Sequence, residues 1–292
     1  MRKPLTAAAI LLVMTALLAR DARPLESQRV GATGTITVDL SAPGARIPPT
    51  LYGIFFEEIN HAGDGGLYAE LVRNRGFEDA NLPPACLLDN GFIVPPRTPH
   101  FDTGKPNNWR LRWDVTDPHP NWTLEATGGA EATIALTTDS PLNDATPHSM
   151  VIEVTKPASA GGRVAVINDG YWGMSVTTGA EYVVSFFART EPTYRGTFVA
   201  ALEGPGGAVV GRADFNESAG QGPAGGWRRF RGSLRATGTE ARARLVLTMP
   251  SAGRVWLDMV SLFPAKTFKD RPNGLRPDLA QMVADDGVIL VH

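Results

Sequence analysis

Residues 51–78 read LYGIFFEEINHAGDGGLYAELVRNRGFE and place an apolar run directly before two adjacent carboxylates, Glu57 and Glu58. The run 51–56 has apolar side chains on both faces, which is typical of a strand that is covered on both sides of its sheet. A Gly-Gly pair then indicates a turn, and the spacing of apolar residues over 66–75 predicts one face of a short helix. Carboxylates at the end of a buried strand indicate a site that handles a sugar or a metal.

The bulk composition is that of a soluble globular chain. The 292 residues are 43% hydrophobic and 20% charged, with a net charge of −2, and this length is enough for two domains. No basic excess points to nucleic acid. The 31 glycines and 23 prolines favour a β-rich chain with many turns. Cys86 is the only cysteine, so an internal disulfide and metal sites built on several thiolates are excluded.

The N-terminus has the pattern of a targeting segment. Arg2 and Lys3 precede an apolar stretch over 7–19, which is too short to span a membrane comfortably and ends at Arg20 and Asp21. We expect residues 1–22 to be a signal peptide, or an N-terminal anchor if it stays uncleaved. The protein is therefore expected to be exported, to the periplasm or the extracellular space.

Most of the chain is patterned as an antiparallel sandwich. After a proline-rich connector over 81–106, short alternating strands recur through 107–264, among them SMVIEVTK, EYVVSFFART, WRRFRGSL and RVWLDMVSLF. Such spacing predicts a β-sandwich or jelly roll. Residues 265–292 change again, to helical spacing followed by the strand-like GVILVH. Because strand and helix patterns also occur over 35–80, we predict that the sandwich is inserted into an incomplete α/β domain.

Two stretches carry a resemblance to a known family. The first consists of Tyr52, Gly53, Phe55, Glu57, Gly65, Gly66, Tyr68 and Glu70, followed by LVRNRGFE, and the second is RPNGLRPDLAQMVAD over 271–285. They resemble the first strand and first helix of the (β/α)8 barrel in α-L-arabinofuranosidases of glycoside hydrolase family 51. The sandwich is similar to the jelly-roll carbohydrate-binding modules of bacterial glycanases. The resemblance implies a mainly β fold, with a jelly roll inserted into an incomplete N-terminal barrel segment.

The resemblance also implies a chemistry. These enzymes are retaining glycosidases, which need an acid/base and a nucleophile about 5–5.5 Å apart. In the family these carboxylates lie on later barrel strands, so we expect this sequence to be truncated before them and to be inactive alone. The family hydrolyses terminal α-L-arabinofuranosyl residues, which makes plant arabinoxylan or arabinan the expected partner. A stand-alone carbohydrate-binding protein and a nonfunctional remnant are the alternatives.

Glu57 and Glu58 are not expected to form a catalytic pair, because neighbours in a strand point to opposite faces. Glu57 matches a family residue that contacts the arabinose hydroxyls, and its place after the first strand fits the face where barrels build their sites. A structural ion pair is the alternative role for Glu57. Glu58 is predicted to be structural.

Several aromatic residues near turn signals are candidates for stacking on sugar rings, with core packing as the alternative for each: Trp122, Tyr171, Trp172 and Tyr194. Trp227 and Trp256 lie within strand patterns and are predicted to be in the core. Asp258 is a candidate ligand for a structural calcium ion, although a single carboxylate does not make a site. No other cofactor is expected.

Overall fold

The computed structural model describes residues 36–39, 41, 44, 46, 53–54, 56–82, 85–96, 111–113, 115–285 and 290–291. The chain divides into two compact units, residues 1–48 and 49–292, and the elements below belong to the second. The predicted signal segment 1–22 lies outside the described residues, as do residues 83–84 and 97–106 of the predicted connector. Among the described residues, no helix has the length and apolar character that crossing a membrane requires.

The regular secondary structure of the described residues is mainly strand. In chain order these are β1 (Gly53–Ile54), β2 (Leu87–Asp89), β3 (Phe92–Val94), β4 (Leu111–Arg112), β5 (Trp122–Ala126), β6 (Glu131–Thr137), β7 (Ser149–Lys156), β8 (Val164–Asn168), β9 (Met174–Val176), β10 (Glu181–Thr190), β11 (Phe198–Glu203), β12 (Val209–Phe215), β13 (Arg228–Arg235), β14 (Glu240–Thr248), β15 (Gly253–Pro264) and β16 (Leu290–Val291). The α-helix α1 spans Pro277–Asp285, and 3-10 turns occupy Glu217–Ala219 and Phe268–Asp270.

Two antiparallel sheets form the sandwich. One has the strand order β13-β10-β15-β7-β6, and the other has the order β12-β11-β14-β8-β5, with β9 also paired to β14. Strand β10 shows why they pack: Tyr182, Val184, Phe186 and Ala188 alternate inward and are buried. Strands β2, β3 and β4 form a separate small sheet. The predicted mainly β, jelly-roll architecture is confirmed.

The sandwich is inserted into a parallel strand pair. Strands β1 and β16 are parallel, with Gly53 opposite Leu290 and Ile54 opposite Val291. Parallel neighbours require a long crossover, and here the crossover contains the whole sandwich and then α1. A strand, a helix and a second parallel strand form the repeating unit of a (β/α)8 barrel. The arrangement confirms the predicted insertion into a barrel segment.

The predicted helix over 66–75 does not form. Residues 69–72 have no regular secondary structure and lie beside β15, where the backbone N–H of Leu71 donates to the carbonyl of Leu262 at 3.0 Å. Further along, Val260 donates its N–H to the carbonyl of Arg75 at 2.9 Å. These bonds occupy the edge of β15 beyond its pairing with β7, so tertiary pairing overrides the helical spacing.

Candidate functional site

The turn after β1 is held by Glu58. Its Oε2 accepts hydrogen bonds from the backbone N–H of Gly63 at 2.7 Å and of Asp64 at 3.1 Å. Backbone bonds from Leu67 to Ala62, at 2.8 Å, and from Tyr68 to Gly63, at 2.9 Å, close the same turn. Glu58 is therefore structural, as predicted.

A loop from the sandwich packs on this turn. Tyr171 lies between β8 and β9, and a Cβ added at Gly65 would overlap its ring. Gly65 also has a φ of +81°, which disfavours other residues. Asn168 fixes the loop, because its Oδ1 accepts from the N–H of Gly170 at 3.0 Å and its Nδ2 donates to the carbonyl of Arg73 at 2.9 Å. The glycine of the turn thus allows the two parts of the chain to touch.

Three rings form an aromatic cluster, which we define as His61, Tyr171 and Trp172. The centroid of His61 lies 5.0 Å from that of Tyr171 and 5.7 Å from that of Trp172. Burial, followed by a hydrogen bond to Asp64, raises the pKa of Tyr171. Trp172 is 65% exposed, so its indole face is open to a ligand. The exposed carboxylate of Glu57 belongs to the same turn region.

Trp122 and Tyr194 are core residues, so their prediction as sugar-stacking surfaces is wrong. Trp122 is 2% exposed, its Nε1 donates to the carbonyl of Asn74 at 2.9 Å, and its ring lies 5.3 Å from Phe77. Tyr194 is 3% exposed and stacks on Phe198 at 5.8 Å. Burial raises the pKa of the Tyr194 hydroxyl. Position near a turn did not reveal that the segment containing Asn74 covers Trp122.

Trp227 and Trp256 were predicted to be in the core, and this is also wrong. Both are half-buried and flank Arg189, whose Cζ lies 4.1 Å from the Trp256 centroid and 5.7 Å from that of Trp227. Trp256 is opposite Arg189 in the ladder, and its neighbours Val255 and Leu257 are the residues that point inward. Alternation along β15 places Trp256 on the outer face of the five-stranded sheet, a signal that the sequence contained, and Trp227 lies against the same arginine just before β13 begins.

The calcium site at Asp258 stays a prediction. The side chain of Asp258 is fully buried; Oδ1 accepts from the N–H of Met259 at 2.6 Å, and Oδ2 has no hydrogen-bond partner among the described residues. Burial raises the pKa of the carboxyl group to about 7, which favours the neutral form. No group of three or more His, Cys, Asp or Glu side chains that could hold a metal occurs in the described part of the chain.

The stretch LVRNRGFE, residues 71–78, fastens the barrel segment to the sandwich. Asn74 donates its Nδ2 to the carbonyl of Pro120 at 2.9 Å. Just before the stretch, buried Glu70 accepts from Ser261 Oγ at 2.6 Å and from the N–H of Leu262 at 2.8 Å. The sequence of this stretch indicates a family but does not reveal these contacts, because they join residues far apart in the chain.

The fold defines the class of the chain: a jelly roll set into the first strand–helix–strand unit of a barrel. The chain is 34% identical over 258 residues to alpha-L-arabinofuranosidase 1 of Arabidopsis thaliana, covering 86% of this chain and 32% of that protein. It is 33% identical over 251 residues to the extracellular exo-alpha-L-arabinofuranosidase of Streptomyces chartreusis, covering 86% of this chain and 24% of that protein. No protein-family model matches the chain.

A solved structure agrees with these relatives. An arabinose-bound α-L-arabinofuranosidase of glycoside hydrolase family 51 superposes with a TM-score of 0.64 at 29% identity, over 86% of this chain and 35% of the other. The predicted resemblance is confirmed: the chain is related over most of its length to α-L-arabinofuranosidases. It spans about a third or less of the length of these relatives.

Proposed function

We propose that this chain is the sugar-contacting part of an α-L-arabinofuranosidase, whose intact form releases terminal α-L-arabinofuranosyl residues from arabinoxylan or arabinan. The observation that carries the proposal is the aromatic cluster, where Trp172 is 65% exposed beside the turn that follows Glu57. The apolar face of a sugar ring stacks on an exposed indole. A carboxylate such as that of Glu57 accepts charge-assisted hydrogen bonds from sugar hydroxyls.

The chain alone is proposed to bind without hydrolysing. Retaining hydrolysis requires two carboxyl groups about 5–5.5 Å apart on either side of the scissile bond. Glu58 is already bound by the backbone N–H groups of Gly63 and Asp64, so it does not complete such a pair with Glu57. We expect no release of nitrophenol from a nitrophenyl arabinofuranoside above a mock preparation, and release above it would refute this part of the proposal.

Binding to arabinoxylan and arabinan in affinity electrophoresis tests the site. Trp172→Ala should weaken binding about tenfold, the loss expected for one stacking contact. Trp227 and Trp256 flank Arg189 on the sandwich's outer face, and they support a second candidate function, stand-alone carbohydrate binding. Trp227→Ala therefore serves as the comparison. Loss of binding in Trp227→Ala with no change in Trp172→Ala would favour the second function. Absence of binding in the unaltered chain would refute both binding functions and favour the remaining alternative, a nonfunctional remnant.

We also propose that the protein is exported. The support is the charged and apolar pattern of residues 1–22, together with the relative named as extracellular. Expression of the full chain in a bacterial host, with mass spectrometry of the N-terminus in the periplasmic and membrane fractions, distinguishes a cleaved signal from an anchor. Recovery of an intact N-terminus in the cytoplasm would contradict export.

A further inference from the structure

A cleft of about 850 Å³ opens between three parts of the chain: residues 73–82, residues 113 and 115–120, and residues 145–148. We call it the His148 cleft. Its chemistry-bearing walls are Arg73, Glu78, Asp79, Trp113, Asp117 and His148. None of these residues was singled out as a site by the sequence pattern, because they come from separate stretches.

Side-chain bonds hold the walls in place. Glu78 Oε1 accepts from the backbone N–H of His148 at 3.0 Å, and Oε2 lies 2.6 Å from His148 Nδ1. The N–H of Asp79 donates to Asn74 Oδ1 at 3.1 Å, so the segment next to the cleft is fixed to the buried Asn74. The cleft is thus a built surface that joins residues about 70 positions apart, with its polar groups already oriented.

The cleft adjoins the aromatic cluster. Arg73 lines the cleft, and its Cζ lies 6.0 Å from the centroid of Tyr171. Asp79 interacts electrostatically with Arg73, Asp64 and His61. Arg73 therefore links the cleft to Tyr171 of the aromatic cluster.

The charges in the cleft select the kind of ligand. Three carboxylates face one arginine and one histidine, so an anionic ligand such as a uronate meets net repulsion. No metal-holding group of three side chains occurs in the described residues, these included. Carboxylates that accept hydroxyl hydrogens, beside the half-buried ring of Trp113, suit a neutral polyhydroxylated ligand.

We propose that the His148 cleft is a second saccharide-binding site, which takes neutral sugar residues of the same polysaccharide that contacts the aromatic cluster. The proposal rests on the proposed carbohydrate-binding function. Long oligosaccharides then reach both sites, whereas short ones occupy the aromatic cluster alone.

Calorimetric titration of the full chain with short and long neutral arabinoxylan oligosaccharides tests the cleft. Trp113→Ala and Asp79→Asn should each weaken the long ligand about tenfold and leave the short one unchanged. Trp172→Ala should weaken both. Asp79 is exposed, so its variant keeps the test informative if Trp113→Ala fails to fold, which circular dichroism reports.

The outcomes separate the two proposals. Trp113→Ala and Asp79→Asn could leave binding of the long ligand unchanged while Trp172→Ala abolishes it. That result would overturn the proposed second site and leave the proposed function standing. No binding by the unaltered chain would overturn both. Equal or tighter binding of a uronate-bearing oligosaccharide would overturn the argument from charge and with it the proposed ligand class.

Discussion

Asp258→Asn should raise the free energy of unfolding near pH 8 and leave it almost unchanged near pH 4. The side chain is fully buried, and burial raises the pKa of its carboxyl group from 3.8 to about 7. Between pH 3.8 and about pH 7, the carboxyl group of Asp258 stays protonated in the folded protein but is ionised in the unfolded chain. The free energy of unfolding therefore falls as the pH rises through this range. At about 1.4 kcal/mol for each tenfold difference in proton affinity, the whole window is worth about 4 kcal/mol.

Urea unfolding followed by circular dichroism at about pH 4 and pH 8 measures this effect. Asparagine keeps an oxygen for the N–H of Met259 and carries no charge, so only the unaltered protein should lose stability through the titration. Asp214→Asn is the control: its exposed carboxylate pairs with Arg212 at 2.7 Å, which lowers its pKa. That variant should change stability by less than about 1 kcal/mol, and with the opposite sign at alkaline pH. An equal difference between Asp258→Asn and the unaltered protein at both pH values would refute the reasoning.

Three further variants test contacts that position the site. Gly65→Ala should lower the free energy of unfolding by about 2 kcal/mol and weaken sugar binding, because the added Cβ would overlap the ring of Tyr171. Urea unfolding measures the first effect, and calorimetric titration with the sugar measures the second. Glu203→Ala should cost about 3 kcal/mol, since it leaves the guanidinium of Arg163 without its buried partner, and raised salt should not mimic the loss. Glu70→Ala should cost about 3 kcal/mol in urea unfolding, because three donors lose their acceptor, whereas a cost below about 1 kcal/mol would contradict the role assigned to it.

The sandwich was predictable because its strands obey local rules. Alternation along β10 reports which side chains point inward, and turn residues separate one strand from the next. The parity of the central strand was also available: Val255 and Leu257 point inward, so Trp256 faces outward. The prediction that Trp256 lies in the core was wrong because it rested on the size and aromatic character of the side chain and not on this alternation.

Other features depend on distant residues that no local pattern specifies. The helical spacing over 66–75 was outweighed by hydrogen bonds to β15, about 190 residues later in the chain. Trp122 looked available beside a turn, but Asn74 accepts its indole N–H and Phe77 covers its ring. The meeting of Tyr171 with the Gly65 turn likewise joins parts of the chain more than 100 residues apart, which follows from topology rather than from composition.

Residues 70–78, which carry part of the family resemblance, attach the barrel segment to the sandwich. Within residues 70–78, Glu70 bonds to Ser261 and Leu262, and Asn74 bonds to Pro120. Each bond joins the barrel segment to the sandwich, and leaving such buried groups unpaired costs about 1–3 kcal/mol apiece. The sandwich is therefore held in a fixed position beside the first barrel strand and is not a freely tethered module. This attachment keeps Tyr171 and Trp172 beside the turn that follows Glu57, so the proposed stacking of a sugar on Trp172 would take place in a defined orientation relative to that turn.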